Sequence, residues 1–371
     1  MEHPRVWRST TLHPGHQKET APPSVTLSCP RIIFLEAMMS DKPKILVTQK
    51  VPDAAYPILE SFGIVEANEE EGVIWSYDEL LHRAPGHDYL FCLLTDTIDA
   101  RFLETCAAAN PRLKMIANMA VGFNNIDVAT ATRLGIAVSN TPGVLTDTTA
   151  DLAFGLLLAT ARRIPESERF LRAGRFTGWG PLLFCGAEVY GATLGIIGAG
   201  RIGQAMARRA SGFNMRVLYH NRSRLSAEEE QRYNLTFVSF EELLKESDFI
   251  SLHCPYTQET HHLIGEREFA LMKPEAILIN TARGAIIDEK ALVRALQTGQ
   301  IASAGLDVFE NEPAIEPELL QMEHVVLAPH IGSASLKTRS LMATTAANNL
   351  LAFQKGEVPP NILNPDVLDQ Q

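Results

Sequence analysis

The stretch GIIGAGRIG, residues 195–203, decides the fold class of this chain. It places Gly198, Gly200 and Gly203 between the apolar run LGII and the helical run RIGQAMARRAS. At this spacing the first glycine permits a tight turn, the second lets the main chain approach a pyrophosphate, and the third lets helix and strand pack closely. The N-terminus of the following helix offers unpaired N–H groups to an anion. The stretch therefore predicts a dinucleotide site on a strand–turn–helix unit.

The loop expected to meet the adenosine ribose has no carboxylate. NAD-binding proteins of this type carry an Asp or Glu about 20 residues after the glycines, where it accepts hydrogen bonds from the ribose hydroxyls. Between Asn214 and Arg224 this chain has no Asp or Glu, and it offers Arg222 and Arg224 instead, with Asn221 and Ser223 beside them. A guanidinium suits a 2′-phosphate, so the loop predicts NADPH, with NAD(H) kept as an alternative. A solvated basic loop is the competing interpretation.

Short β-rich runs alternate with helical patterns from residue 44 onward. Strands are predicted at 44–49, 89–94, 113–119, 136–138, 193–197, 216–219, 249–252, 276–279, 304–307 and 325–327. Longer helical patterns cover 146–176 and 336–354, and a short one covers 57–62. Such alternation is typical of parallel strands with helices on both faces. We therefore expect an α/β fold of two Rossmann-like, doubly wound parallel-sheet domains.

Length and composition fit a globular protein and disfavour two classes of partner. The 371 residues suggest two domains plus a remainder, at roughly 150 residues per domain. The net charge of −11 argues against nucleic acid as a partner, because phosphate backbones are bound by basic surfaces. No apolar run approaches the roughly 18 residues of a membrane span. The five cysteines form no C-x-x-C pair, which predicts reduced thiols in a cytoplasmic protein.

Residues 1–41 differ from the remainder of the chain in composition and in hydrophobic pattern. They are rich in proline, carry scattered His and Arg, and have no hydrophobic periodicity. A regular pattern starts only with the run KILVT at 44–48. We expect a disordered N-terminal extension.

Three segments that follow predicted strands carry ionisable side chains suited to keto-acid chemistry. NTARGAIID holds Arg283, GLDVFENEP holds Asp307 and Glu312, and LAPHIGS holds His330. Open α/β sheets bind ligands at the carboxyl ends of their strands. Reduction of a keto acid needs a cation for the carboxylate and a proton donor for the carbonyl oxygen. A carboxylate beside a histidine favours the protonated imidazole. Each residue alone is more often structural, so the hypothesis depends on their occurring together.

These segments resemble, in order, the D-isomer-specific 2-hydroxyacid dehydrogenase family. The matching motifs are VGFNNID at 121–127, NTPG at 140–143, the glycine turn, HCP at 253–255 and HIG at 330–332, and the likeness covers roughly residues 44–360. Within the family the chain is most similar to the glyoxylate/hydroxypyruvate reductases, in VLTDTTADLA at 144–153 and in the NRS loop. The resemblance implies NADPH-dependent reduction of a small 2-keto acid, glyoxylate or hydroxypyruvate, to the D-2-hydroxy acid.

The resemblance also implies individual roles. Arg283 would bind the substrate carboxylate and keto oxygen, His330 would be the acid/base, and Glu312 would hydrogen-bond that histidine. The main-chain N–H groups of Val121 and Gly122 would hold the carboxylate. The other implied substrate contacts are Leu94 and Trp179, the latter reaching a partner's active site in a homodimer. The implied cofactor contacts are Thr149, Gly198, Gly200, Arg201, Ile202, Gly203, Asn221, Arg222, Ser223, Cys254, Pro255, Thr260, Thr281, Ala282, Asp307, His330 and Gly332.

The family architecture implies a discontinuous first domain. Residues 42–144 and 335–371 would form the substrate-binding domain, and residues 145–334 the dinucleotide-binding domain. The loop LLTDTI at 93–98 has no basic residue, whereas relatives that use phosphorylated substrates tend to carry one there. A small unphosphorylated keto acid is therefore expected.

Two alternatives stay open at this point. One is another D-2-hydroxyacid dehydrogenase, of the 2-ketogluconate, phosphoglycerate or lactate type. The other is a nucleotide-sensing corepressor with the same fold. No metal site is predicted, because His253, Cys254, His261 and His262 do not follow a zinc-binding spacing.

Overall fold

The computed structural model describes residues 42–370, so the extension predicted for residues 1–41 lies outside the described residues. The first of its two sheets contains five parallel strands in the order β2-β1-β3-β4-β5. Their bounds are β1 Lys44–Val47, β2 Ile64–Ala67, β3 Tyr89–Cys92, β4 Met115–Asn118 and β5 Ala137–Ser139.

The second sheet contains seven parallel strands in the order β12-β11-β10-β9-β6-β7-β8. Their bounds are β6 Thr193–Ile197, β7 Arg216–His220, β8 Leu235–Phe237, β9 Phe249–Leu252, β10 Ile277–Asn280, β11 Ser303–Leu306 and β12 Val326–Leu327. Both sheets belong to one compact unit that begins at Pro43. The α/β fold class predicted from the sequence is confirmed.

Helices connect the strands and cover the faces of both sheets. Their bounds are α1 Tyr56–Phe62, α2 Tyr77–Arg83, α3 Ala100–Ala107, α4 Val128–Arg133, α5 Thr146–Ala161, α6 Ile164–Arg172, α7 Arg201–Ser211, α8 Ala227–Tyr233, α9 Phe240–Glu246, α10 Glu266–Phe269, α11 Glu289–Gln297, α12 Pro317–Gln321 and α13 Leu336–Gln354. Of these helices in residues 42–370, none has the length and apolar character that a membrane span requires.

The central strands are buried on both faces, as parallel sheets require. In β3, Tyr89 and Phe91 point into one apolar cluster, and Leu90 and Cys92 point into another on the opposite face. In β10, Ile277 and Ile279 likewise pack in one apolar cluster, and Leu278 packs in the cluster on the opposite face. This two-sided burial explains why these strands appear in the sequence as continuous apolar runs.

Two strands and one helix boundary differ from the sequence prediction. The strands β2 and β8 were not predicted, because both lie at sheet edges, are short and are only partly buried. The single helix predicted at 146–176 is wrong, since the structure has two helices, α5 and α6. Arg163 between them is left-handed, with φ of +52°, and Pro165 occupies the first turn of α6, where its missing N–H costs no hydrogen bond.

Helices α5 and α13 lie where the chain passes between the two sheets. Helix α13 packs on the first sheet through Met342, Ala346 and neighbouring side chains, and α5 packs on the second. The hydroxyls of Thr148 and Thr338 join the two helices at 2.6 Å. These contacts support the predicted domain limits at residues 144/145 and 334/335, which stay a prediction.

The carboxyl group of Glu289 at the start of α11 is buried, with 4% of the residue exposed. Burial raises its pKa from 4.5 to about 7, and the charges of Glu310 and Glu316 act in the same direction. The folded protein therefore binds this proton more tightly than the unfolded chain does. The ionisation of Glu289 therefore lowers the free energy of unfolding as the pH rises from 4.5 to about 7. Above this range the free energy of unfolding stays lower by the same amount.

We predict that Glu289→Gln stabilises the protein at pH 8, by about 3 kcal/mol, and has little effect near pH 4.5, where the wild-type carboxyl is also neutral. Urea unfolding at the two pH values measures the difference. The exposed Glu275 supplies the control Glu275→Gln. An equal gain for Glu289→Gln at both pH values would contradict the prediction.

Candidate active site

The loops after the strands of both sheets border one cleft with a volume of about 920 Å³. From the first sheet they follow β1, β3, β4 and β5, and from the second they follow β6, β9, β10, β11 and β12. Ligand sites of open α/β sheets lie at this carboxyl edge. The sequence-predicted residues that line the cleft are Leu94, Val121, Gly122, Thr149, Arg201, Ile202, Cys254, Pro255, Thr281, Ala282, Arg283, Asp307, Glu312, His330 and Gly332.

The structure brings the predicted imidazole and its acidic neighbour into direct contact. His330 Nδ1 lies 2.8 Å from Glu312 Oε2, and the backbone N–H of Phe309 donates to Glu312 Oε1 at 3.0 Å. Burial acts to raise the pKa of Glu312, but the hydrogen bond and charge of His330, with smaller contributions from Phe309 and Arg283, lower it on balance. Glu312 is therefore ionised at neutral pH, and its contact leaves His330 Nε2 as the ring nitrogen available to a ligand.

Arg283 follows β10 of the second sheet, and its side chain reaches the loop after β4 of the first sheet. Its Nε donates to Asn124 Oδ1 at 3.1 Å, and its Nη1 donates to the carbonyl of Ala282 at 2.7 Å. A Cβ atom added to Gly122 would lie within 1.9 Å of Arg283 Nη2, so the guanidinium rests directly on that glycine. Burial lowers the pKa of Arg283, and the charge of Glu312 opposes this shift. A guanidinium stays charged in proteins, which leaves a cation beside the backbone of residues 121 and 122.

Asp307 fixes the loop that carries His330. Its two carboxylate oxygens accept hydrogen bonds from the N–H groups of Ile331 at 2.7 Å and Gly332 at 2.8 Å. The N–H of His330 donates to the carbonyl of Asp307 at 2.9 Å, and His330 is left-handed with φ of +53°. These contacts fix the backbone of residues 330–332, and the fixed backbone positions the imidazole.

Buried asparagines hold the loop of Val121 and Gly122. Asn140 Nδ2 donates to the carbonyl of Val121 at 2.8 Å, and Asn118 Nδ2 donates to the carbonyl of Gly122 at 3.0 Å. Asn349 of α13 donates to the carbonyl of Asn140 at 3.1 Å. None of these positioning residues is predicted from the sequence. Asn140 lies in the quoted NTPG motif, but nothing in the pattern indicates which carbonyl an amide will meet.

The glycine turn is shaped as its spacing predicts. Gly198 has φ of +95°, and a Cβ there would lie 2.4 Å from the backbone nitrogen of Cys254. A Cβ at Gly203 would lie 2.4 Å from the carbonyl oxygen of Gly198, whereas a Cβ at Gly200 would meet no protein atom within 4 Å. The turn is therefore packed at two glycines and open at the one that should face a pyrophosphate, which fits a bound dinucleotide.

The loop after β7 has one basic side chain that is not engaged by the protein. Arg224 forms a two-pronged ion pair with Glu230, at 2.8 Å for both contacts. Arg222 and Ser223 are exposed, and Arg222 has no ion pair within residues 42–370. Asn221 Oδ1 accepts a hydrogen bond from the N–H of Ala199 at 2.7 Å, so this side chain braces the glycine turn.

Three further predicted residues have surroundings that the sequence could not specify. The hydroxyl of Thr260 donates to the carbonyl of Pro255 at 2.8 Å, and Thr260 supports the loop after β9 without lining the cleft. Trp179 is 86% exposed and does not line the cleft of its own chain. Thr281 Oγ1 is buried beside the cleft and has no hydrogen-bond partner among residues 42–370, as expected of a group that meets a ligand.

A second histidine in the cleft is chemically unlike His330. His253 contacts the hydroxyl of Ser251 at 2.8 Å, and burial lowers its pKa to about 4. It is therefore neutral at neutral pH and holds no ionisable proton for transfer. Within the described part of the chain, no group of three His, Cys, Asp or Glu side chains could hold a metal ion.

Comparison with known proteins agrees with this geometry. The family model described as "D-isomer specific 2-hydroxyacid dehydrogenase, NAD binding domain" matches residues 154–332. A glyoxylate reductase of Thermococcus litoralis is 52% identical over 336 residues, which are 88% of this chain and 98% of that protein. The chain belongs to the D-isomer specific 2-hydroxyacid dehydrogenase family. It is therefore an oxidoreductase by family, and its glycine turn, Arg283, Glu312 and His330 all fall within the matched range.

Solved structures of similar proteins have the same fold. A protein of Thermus thermophilus superimposes with a TM-score of 0.80 at 43% identity, covering 86% of this chain and 99% of that one. An NADPH-dependent glyoxylate/hydroxypyruvate reductase of Sinorhizobium meliloti, solved with NADP and malonate, superimposes with a TM-score of 0.76 at 33% identity. That likeness covers 88% of this chain and 98% of the other.

We predict that Gly200→Ala folds normally but weakens binding of a reduced nicotinamide nucleotide by about tenfold or more, because its methyl group would occupy the space of the pyrophosphate. Gly203→Ala is the matched comparison. Its Cβ meets the carbonyl of Gly198, so it should lower stability, by about 1–3 kcal/mol. Nucleotide fluorescence titration and thermal unfolding measure the two effects. Unchanged affinity in Gly200→Ala would contradict the assignment of the turn.

Proposed function

We propose that this chain reduces glyoxylate, hydroxypyruvate or a similarly small 2-keto acid to the D-2-hydroxy acid, with NADPH as the reductant. The convergence of Arg283, Glu312 and His330 on one cleft beside the glycine turn carries the proposal. Arg283 and the N–H groups of Val121 and Gly122 would bind the carboxylate, and His330 would donate the proton.

Arg283 suits both parts of an α-keto acid. Asn124 and the carbonyl of Ala282 hold its guanidinium from two sides, and Nη2 remains at the cleft edge above Gly122. A guanidinium presents two parallel donors to a carboxylate, and it also stabilises negative charge that develops on a carbonyl oxygen. The contact with Gly122 puts this cation next to the backbone N–H groups that would bind the same carboxylate.

His330 would keep a proton on Nε2 and release it to the keto oxygen. Its Nδ1 lies against the ionised Glu312, which leaves Nε2 as the ring nitrogen that can carry the transferred proton. A reduced nicotinamide bound at the glycine turn would supply the hydride. The neutral His253 could not take the acid role, because burial lowers its pKa to about 4.

The size of the substrate is inferred from the relatives and the loop at 93–98. The Thermococcus litoralis relative and a Pyrococcus horikoshii relative at 50% identity are both named glyoxylate reductase. Leu94 lines the cleft, and its loop has no basic side chain. Both observations favour a compact, uncharged group next to the keto carbon.

The preference for NADPH is proposed from Arg222. Of the two arginines after β7, it is the one that forms no ion pair within residues 42–370, since Glu230 holds Arg224. The family model describes an NAD-binding domain, and the Sinorhizobium meliloti relative is described as NADPH-dependent. NADH is therefore the competing cofactor for this chain.

We also propose that the chain acts as a cytoplasmic homodimer. Helix α6 and the loop after it expose Leu171, Phe176, Trp179 and Leu182, and exposed apolar patches of this kind mark protein interfaces. The buried thiols of Cys92 and Cys106 are free, which is typical of reducing compartments. Sedimentation of the purified chain tests the dimer.

We predict that His330→Gln lowers kcat by about 10²–10⁴-fold and changes KM much less, since the proton donor is lost and the carboxylate contacts remain. Glu312→Gln should keep part of the activity, because the amide loses the charged contact that holds His330 Nδ1 but the imidazole itself remains. Steady-state rates with NADPH and glyoxylate measure both variants. Wild-type rates in both variants would remove the mechanism.

We predict that Arg222→Ala raises the ratio of the KM for NADPH to the KM for NADH by about tenfold. A change of that size corresponds to the loss of one charge-assisted hydrogen bond. Arg224→Ala is the matched control, because Glu230 already engages that guanidinium. An unchanged ratio of the two KM values in Arg222→Ala would count against the NADPH assignment.

The assay that tests the function directly is NADPH oxidation with a panel of 2-keto acids. Turnover of glyoxylate or hydroxypyruvate supports the proposal. Tight nucleotide binding without reduction of any keto acid would instead favour a nucleotide-sensing role.

A further inference from the structure

The cleft contains more positive charge than the proposed reaction uses. Four cations line it, namely Lys50, Arg201, Arg283 and Arg339, although the chain as a whole has a net charge of −11. Arg201 lies at the glycine turn and Arg283 at the carboxylate site. The remaining two, Lys50 and Arg339, have no role in the chemistry described above. The two carboxylates of the cleft, Asp307 and Glu312, are already held by backbone N–H groups and His330.

Arg339 is an exposed residue in the first turn of α13. It precedes Met342 by three residues, so the two side chains are neighbours on the helix surface, and both line the cleft. Met342 belongs to the same apolar cluster as Val51, and α13 packs on the short turn Asp53–Ala55. Arg339 and Lys50, the latter in the loop after β1, therefore line the same cleft near this apolar cluster.

The loop that carries Lys50 is fixed by its neighbours. The hydroxyl of Thr48 donates to the buried carboxylate of Asp96 at 2.5 Å, and the N–H of Leu93 donates to the same oxygen at 2.8 Å. Gln49 also hydrogen-bonds Thr95. The loops after β1 and β3 are thereby joined, which holds the backbone next to Lys50 at the cleft wall.

Neither cation is neutralised by the protein itself. Within residues 42–370 the Arg339 guanidinium has no ion pair and no hydrogen bond. Lys50 approaches Glu71 only at 4.0 Å, and the Glu71 side chain is 91% exposed. An ion pair of that kind contributes little. Two cations that converge on a cleft without a protein counter-ion attract a ligand anion.

We propose that Lys50 and Arg339 form a second anion subsite, which admits 2-keto acids that carry another carboxylate or a phosphate distant from the keto group. This inference rests on the proposed function. It changes the substrate class expected from residues 93–98, since the cations come from the loop after β1 and from α13.

The test compares one-anion and two-anion keto acids in the full chain with NADPH. Glyoxylate and hydroxypyruvate carry one anion, oxaloacetate carries a second carboxylate, and 3-phosphohydroxypyruvate carries a phosphate. We expect the wild type to reduce at least one of the two-anion acids, and the comparison between them identifies the preferred group. In Arg339→Ala and Lys50→Gln, the ratio of kcat/KM for that acid to kcat/KM for glyoxylate should fall by about 10- to 100-fold.

Lys337→Ala is the matched control, because Lys337 is an exposed cation on α13 that does not line the cleft. It should leave the ratio unchanged, and Arg339→Lys should restore part of it. An equal fall in Lys337→Ala would mean general attraction of anions and overturn the subsite. So would a wild type that reduces glyoxylate but neither two-anion acid.

A binding measurement separates failure of the subsite from failure of the proposed function. If no keto acid is reduced, the proposed function fails. Thermal stabilisation of the NADPH-bound protein by oxaloacetate relative to pyruvate then decides the subsite. A preference for oxaloacetate that Arg339→Ala removes supports it, and equal stabilisation by the two acids overturns it.

Discussion

The contact between the Arg283 guanidinium and the backbone of Gly122 is the constraint on which the site depends. Arg283 belongs to the second sheet and Gly122 to the first, so this contact joins the carboxyl edges of the two sheets. Only glycine fits at residue 122 without displacing the guanidinium. The same proximity makes one cation and two backbone N–H groups available to a single carboxylate.

Around this contact the protein uses its hydrogen bonds to fix backbone geometry. Asp307 holds the loop of His330, Asn140 and Asn118 hold the loop of Gly122, and Asn221 holds the glycine turn. The groups that would meet ligands thus keep free donors, because other side chains supply the support. Such preorganisation lowers the reorganisation that binding and proton transfer would otherwise require.

The parts of this site that depend on local sequence were predictable. The glycine turn needs only a strand, three glycines and a helix, and Arg283, Glu312 and His330 each follow a strand, so parallel topology brings them to one edge. Arg224 was offered as a phosphate ligand, but its partner Glu230 lies in the next helix, and pairing of that kind is decided by side-chain rotamers. Asn349 and Arg339 could not be assigned, because each lies some 200 residues or more from the loops beside it. Edge strands β2 and β8 lack the continuous apolar runs that identified the central strands.

The asparagine contacts extend well beyond the cleft. Asn361 donates to Asn349 at 3.2 Å, Asn349 donates to the carbonyl of Asn140, and Asn140 donates to the carbonyl of Val121. The segment after the last long helix is therefore linked by hydrogen bonds to the peptide group of Val121, which lines the cleft. A substitution in that peripheral segment would act on the shape of the cleft through the backbone, and it would leave every side chain of the cleft unchanged.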